Sequence, residues 1–255
     1  MTEQDRQCRL PPLGLNWAFF LDVDGTLLEL ASRPDAVILK PRLVGVLDGL
    51  REKTAGAVAL ISGRSLADLD NLFSPLKLPL AGQHGLERRD AGGVLHHHKL
   101  PDGKFRRFKE YLMQFAGEHP GVLVEDKNFC IAVHYRQTPD KALLIESIIN
   151  RRMAELRDDF HLQKGKMVFE IKPGGKDKGT AIQEFMEEAP FRGRTPVFIG
   201  DDATDEDGFR TVNLLEGHSI KVGPGNTAAR WWLADSDSVL DWLISYLSYM
   251  EKAGQ

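Results

Sequence analysis

The chain has 255 residues, 42% of them hydrophobic and 27% charged, enough for one large core or two modest ones. A net charge of −4 argues against a nucleic-acid partner, since such binders carry a basic surplus. Two cysteines, Cys8 and Cys130, cannot build a disulfide framework, and no stretch suits a signal peptide or a bilayer span, so a soluble cytoplasmic protein without a membrane partner is expected.

WAFFLDV, from Trp17, predicts a buried strand. RLVGVLDGLREKT predicts a helix with Leu43, Val46, Leu47 and Leu50 on one face. AVALIS predicts a second buried strand, SLADLDNLF a helix, and LPLAGQHG a strand that ends in glycine-rich polar sequence. Near-continuous apolar strands alternating with helices indicate a parallel sheet covered on both faces. The run His96 to His98 reads as a solvated polar loop, because no cluster of further ligands accompanies it.

The pattern then changes. KFRRFKEYLMQFAGEH predicts an amphipathic helix, and GVLVEDKNFCIAVHYR a hairpin that turns at Asp126-Lys127-Asn128. DKALLIESIINRRMAELRDDF predicts a long helix. FHLQKGKMVFEIKP predicts another hairpin, turning at Lys164-Gly165-Lys166. After Pro173-Gly174-Gly175 the alternation returns, with helix KGTAIQEFMEEA, strand TPVFIGDD, helix DEDGFRTVN and strand SIKVG. The expected architecture is an α/β core, residues 1–100 and 174–255, interrupted by an inserted α+β domain at 101–173. Two chain crossings would let the domains hinge over a shared cleft.

Four predicted strands end in polar or glycine-rich sequence: LDVDGT, LISGR, AGQHG and FIGDDATDED. Singly, each reads equally as a turn, a loop or a helix cap. Parallel topology gathers strand ends on one edge, where open α/β sheets bind ligands. Asp22, Asp24, Asp201, Asp202 and Asp205 would then crowd together, which is costly without a cation. A hard dication such as Mg²⁺ fits an all-oxygen set completed by phosphate. Thr26 and Ser62 offer hydroxyls, and the glycines beside them, Gly25 and Gly63, expose backbone N–H groups. Lys178 opens a helix, where the dipole disfavours a cation, so a bound phosphoryl group would explain it.

DVDGT (Asp22–Thr26), SGR (Ser62–Arg64), Lys178 and GDDATD (Gly200–Asp205) together resemble the ordered motifs of the haloacid-dehalogenase-like (HAD) phosphatases. The insertion between the second and third motifs, with its αββαββ pattern, resembles their larger (C2-type) cap. More narrowly, AGQHGLE, VEDKNFCIAVHYR, GKMVFEIKPGGKDKGTAI and VFIGDDATDED resemble the trehalose-6-phosphate phosphatase family, over Trp17 to Trp242. Only Val23 differs from the first motif's usual Leu.

The resemblance implies a Rossmann-like core and hydrolysis through an aspartyl-phosphate. Asp22 would be the nucleophile and Asp24 the general acid and then base, entering the cycle protonated. Mg²⁺ would be held by Asp22, the Asp24 backbone carbonyl and Asp201. Ser62 and Lys178 would bind phosphoryl oxygens, and Asp202 and Asp205 would orient the metal and Lys178. On the cap, Glu125, Lys127 and Glu170 would grip the distal glucose; without the resemblance they read as charges on a solvated sheet face. His84, Gly85 and Arg64 would line the core side of the sugar pocket. The resemblance also implies a small-molecule phosphate substrate and a functional link to trehalose-6-phosphate synthase. Two other readings stay open: a sister sugar phosphatase or phosphomutase, and a noncatalytic sugar-phosphate sensor.

Overall fold

The computed structural model describes residues 10–254 except 30–38, 40, 75, 99–102, 127–129, 155–159 and 166. In chain order the elements are β1 (Trp17–Leu21), α1 (Pro41–Lys53), β2 (Val58–Ile61), α2 (Leu66–Leu72), β3 (Leu80–Gly82), β4 (Glu87–Arg89), β5 (Leu95–His97) and α3 (Lys104–Glu118). Then come β6 (Leu123–Asp126), β7 (Ile131–His134), α4 (Ala142–Met153), β8 (Phe160–Gly165), β9 (Val168–Pro173) and α5 (Lys178–Met186). The chain finishes with β10 (Thr195–Gly200), α6 (Glu206–Leu214), β11 (His218–Val222), β12 (Trp231–Leu233) and α7 (Ser236–Ala253). Two compact units result: Met1–His97 with Lys176–Gln255, and His98–Gly175.

The first unit is built on one sheet, ordered β12-β11-β10-β1-β2-β3-β4-β5. From β12 to β3 every pairing is parallel; β4 and β5 add an antiparallel edge. Alternation along β1 divides the core between the faces. Trp17, Phe19 and Leu21 pack with α1, α2 and α7, while Ala18 and Phe20 pack with α5 and α6. Burial on both faces is why the central strands read as unbroken apolar runs. Of the histidine run, expected as a loop, His96 and His97 instead lie in the exposed edge strand β5, with His96 paired to Arg88 across the ladder.

The second unit carries a four-stranded antiparallel sheet, ordered β6-β7-β9-β8, with α3 and α4 on one face. Ile131, Val133, Phe169 and Ile171 point into that core with Phe105, Phe108 and Ile149. Period-two alternation therefore turns Ala132, His134, Val168, Glu170 and Lys172 to the opposite face. The β8–β9 turn falls later than the sequence suggests, since Lys164 pairs with Phe169 and Gly165 with Val168. Phe160, the first residue of the predicted second hairpin, starts β8 and stacks on Phe105.

Candidate active site

Asp22 follows β1 directly and is buried, 4% exposed. Its Oδ1 accepts a hydrogen bond from Lys178 Nζ at 2.7 Å. Lys178 is the first residue of α5, whose capping box pairs Asp177 with Thr180 and so fixes where the lysine starts its reach. The same ammonium donates to Asp205 Oδ1 at 2.6 Å, and Asp205 is fully buried. The other Asp205 oxygen accepts from the backbone N–H groups of Asp201 and Asp202, at 2.8 and 2.9 Å. Asp205 is thus spent on holding Lys178 and the loop after β10. Asp202 caps that loop, with Oδ1 accepting from the Thr204 N–H at 2.8 Å and its hydroxyl at 2.6 Å.

Asp201 faces Asp22. Thr26, buried, donates its hydroxyl to Asp201 Oδ1 at 3.2 Å and so helps orient that carboxylate. Gly25 has φ +89°, and a Cβ there would run into the Asp201 carboxylate. The Asp-Gly-Thr turn can approach the second acidic loop only with glycine at that place. Ser62, buried after β2, accepts from the Arg64 N–H at 3.1 Å.

Arg64 reaches the general acid/base candidate Asp24. Its Nε and Nη2 each donate to an Asp24 oxygen at 2.7 Å, a two-point clamp on the carboxylate expected to carry a proton. The turn after β3 holds Gln83 and His84 at positive φ, 48° and 58°, before the buried Gly85. Two successive side chains in that region mark stored backbone strain beside the site. His84 lies close over Gly63, where a Cβ would meet its ring at 2.8 Å. Ser62, Gly63, Arg64, His84 and Gly85 therefore belong to one neighbourhood.

On the face of the second unit's sheet opposite α3 and α4, the ladders align Glu125 with Ala132, Ala132 with Glu170, and Glu170 with Gln163. Glu125 and Glu170 thus flank a small residue in one lateral row. His134 Nε2 bonds Glu125 Oε2 at 3.0 Å, and Lys172 pairs with Glu170 at 3.1 Å. Lys127 lies outside the described residues.

A family model described as Trehalose-phosphatase matches residues 20–236. The chain belongs to the trehalose-phosphatase family. It is 46% identical over 233 residues to trehalose-6-phosphate phosphatase of Escherichia coli, covering 91% of this chain and 87% of that protein. Among solved structures it resembles Aspergillus fumigatus trehalose-6-phosphate phosphatase with a TM-score of 0.74 and 25% identity, over 92% of this chain and 93% of that one. The fold is the HAD-like α/β fold of these neighbours, and the protein is a phosphoric monoester hydrolase.

The electrostatics suit that chemistry. Burial pushes the Asp22 carboxyl up to about 6, with Asp201 adding to the rise and Lys178 opposing it. Burial likewise raises Asp205 to about 7, with Asp22 contributing. Asp201 is raised by burial and by Asp205 and Asp202, although hydrogen bonds with Asp22 and Thr26 pull it down. Lys178 is penalised by burial, but Asp22 and Asp205 outweigh this and raise it. A single buried ammonium cannot neutralise three carboxylates.

Asp22, Asp201 and Asp205 bring one oxygen each within 4.8 Å of one another. With Asp205 committed to Lys178 and two backbone N–H groups, Asp22 and Asp201 are the pair that fits a hard dication. A second cluster, Asp90, His96 and Glu188, is differently engaged. Both Glu188 oxygens accept from buried Arg88, while Asp90 binds His96 and the Gly92 and Val94 N–H groups. It is the ion-pair network that ties the β4–β5 edge to the end of α5.

Proposed function

We propose that this trehalose-phosphatase family member hydrolyses trehalose 6-phosphate to trehalose and phosphate, through a phosphoryl group carried on Asp22 and with Mg²⁺. The observation that supports it best is the buried Asp22–Lys178–Asp205 chain beside Asp201. Asp22 attacks phosphorus as the bond to the sugar oxygen breaks, and Asp24 protonates that oxygen as it leaves. Water then attacks the acyl-phosphate, Asp24 takes its proton, and the Asp22 carboxylate returns. Bound Mg²⁺, with Asp22, Asp201 and the Asp24 carbonyl as protein ligands, supplies positive charge against the phosphoryl oxygens.

Lys178 holds the nucleophile's orientation and lends charge to the transferred group. Ser62, accepting from Arg64 N–H, has its own O–H to donate to a phosphoryl oxygen. Arg64 occupies both Asp24 oxygens, so proton transfer to the sugar requires it to release at least one. Asp202 and Asp205 hold the loop that presents Asp201.

Glu125, Glu170 and Lys127 recognise the distal glucose, and Arg64, His84 and Gly85 contribute further sugar contacts. Glu125 and Glu170 share one lateral row on the face without core contacts, which suits hydrogen bonding to a flat, hydroxyl-rich ring. The reading includes a cytoplasmic setting and a functional link to the synthase that supplies the substrate. Among the described residues no helix is long and apolar enough to cross a membrane. A sensor would gain nothing from a nucleophile and an acid one residue apart. Phosphate release across a panel of sugar phosphates, with and without Mg²⁺, tests the reading. Preference for trehalose 6-phosphate with full dependence on the metal is expected; equal rates across the panel would reject the substrate assignment.

A further inference from the structure

Lys221 stands inside β11, between Ile220 and Val222, and is only 5% exposed. It pairs in register with Gly200, the last residue of β10 before Asp201. Its ammonium donates to the Asp201 backbone carbonyl and, at 3.1 Å, to the carbonyl of Val222. Burying an ammonium costs several kcal/mol unless it is hydrogen-bonded and its charge is matched. The two carbonyls satisfy donors but carry no net charge. The charge that matches is the acidic loop itself, where Asp201, Asp202 and Asp205 follow β10 and Asp22 lies opposite.

Stability does not explain a lysine here. Its chain neighbours Ile220 and Val222 pack into the core on the opposite face of the sheet, Lys221 shares its own face with buried Ser219, and replacing a buried ion by an apolar side chain of similar volume is often neutral or stabilising. The bond to Asp201 explains it. That carbonyl belongs to the residue whose side chain meets Thr26 and Asp22, so fixing the peptide fixes the direction of the carboxylate. Asp205 grips the same residue from its N–H at 2.8 Å. The Asp201 backbone is therefore held at both its N–H and its carbonyl by charged side chains, one of each sign.

We propose that Lys221 is a positioning residue for cation binding: it locks the Asp201 peptide so that the Asp201 carboxylate is preset, with Asp22, to receive the dication. This rests on the metal reading given above. The test is Mn²⁺ binding, followed by electron paramagnetic resonance on the unmodified full-length protein, Lys221→Met and Lys221→Arg, beside thermal melts of each. Partners that orient a metal ligand typically govern affinity by about ten- to a hundredfold. Lys221→Met is expected to weaken Mn²⁺ binding by that factor while melting within a few degrees of the unmodified protein. Lys221→Arg, which keeps cationic donors, recovers most of the affinity. In steady-state assays Lys221→Met raises the Mg²⁺ concentration needed for half activation and lowers kcat, with little change in KM. Should Lys221→Met not fold, Lys221→Gln carries the same comparison. Unchanged Mn²⁺ affinity in the variants would overturn this inference alone, as would tighter binding, which would mean the ammonium only repels the cation. An unmodified protein that binds no Mn²⁺ would bring down the metal reading together with it.

Discussion

The acidic residues of the core and those of the inserted unit are alike in chemistry and opposite in setting. Asp22 and Asp205 are buried, and each oxygen of Asp205 has an assigned donor. Glu125 is exposed on an open sheet face, with a histidine across the strand as its partner. Burial makes an interaction strong and an error expensive, so charges that perform a bond-making step are held from several sides. Exposed charges on a sheet face form weaker contacts and can adapt to the hydroxyls of a sugar. The contrast predicts that damage to the core stops every substrate, whereas damage to the sheet face is felt only by a substrate large enough to need it.

The largest effect should come from Asp22→Asn, which keeps shape and removes the proposed nucleophile. Turnover of any phosphate ester should fall roughly a thousandfold or more, with the fold preserved by circular dichroism. Near-normal phosphate release from the folded variant would remove the contrast at its strongest point. Next is Asp205→Asn. An amide cannot neutralise Lys178 and turns either a donor toward the ammonium or a donor toward the two backbone N–H groups. A loss of about tenfold to a hundredfold in kcat is expected for trehalose 6-phosphate and p-nitrophenyl phosphate alike.

Glu125→Ala and Glu170→Ala sharpen the other side. Each should cost about ten- to a hundredfold in kcat/KM for trehalose 6-phosphate, the worth of a charged hydrogen bond to a sugar hydroxyl. The rate on p-nitrophenyl phosphate should barely move. Parallel decline on both substrates would make these residues structural.

The smallest effect is thermal. A carboxyl whose folded value is raised keeps its proton where the unfolded chain has lost it. The stability it confers is present below about pH 4 and is lost as pH rises through about 6 to 7, the values of Asp22 and Asp205. Mg²⁺ bound as proposed, to the ionised carboxylates, would offset that loss. The rise in Tm on adding Mg²⁺ should be slight at about pH 5 and reach several degrees by about pH 7. A gain independent of pH would mean that the cation does not bind these groups.

The sequence reveals these two regions unequally. β1, β2 and β10 are readable because strands buried on both faces must be apolar throughout, and the polar residues that end them then stand out. Lys178 is readable from its place at a helix start. The β4–β5 edge is hidden, since Glu87, Arg88, His96 and His97 belong to short strands whose polar side chains mimic a loop. The last helix does carry its signal, an Asp235 cap followed by Val239, Leu240, Leu243 and Tyr246, but no strand end points to it.

Pairings are the deeper loss. Arg64 and Asp24 sit in separate motifs 40 residues apart, and only side-chain reach decides that one clamps the other. Lys221 looks like ordinary alternation in SIKVG until its burial is known. Its one sequence signal is a lysine set between the apolar residues Ile220 and Val222.

The proposed hydrolysis requires a covalent phosphoryl group at Asp22. Rapid acid quench during turnover of trehalose 6-phosphate, borohydride reduction and peptide mass spectrometry measure this directly, because reduction converts an aspartyl phosphate to homoserine with loss of phosphate. Homoserine at position 22, absent when substrate is omitted, is the predicted result. An unmodified Asp22 in samples caught turning over, or the label at Asp24 instead, would contradict it.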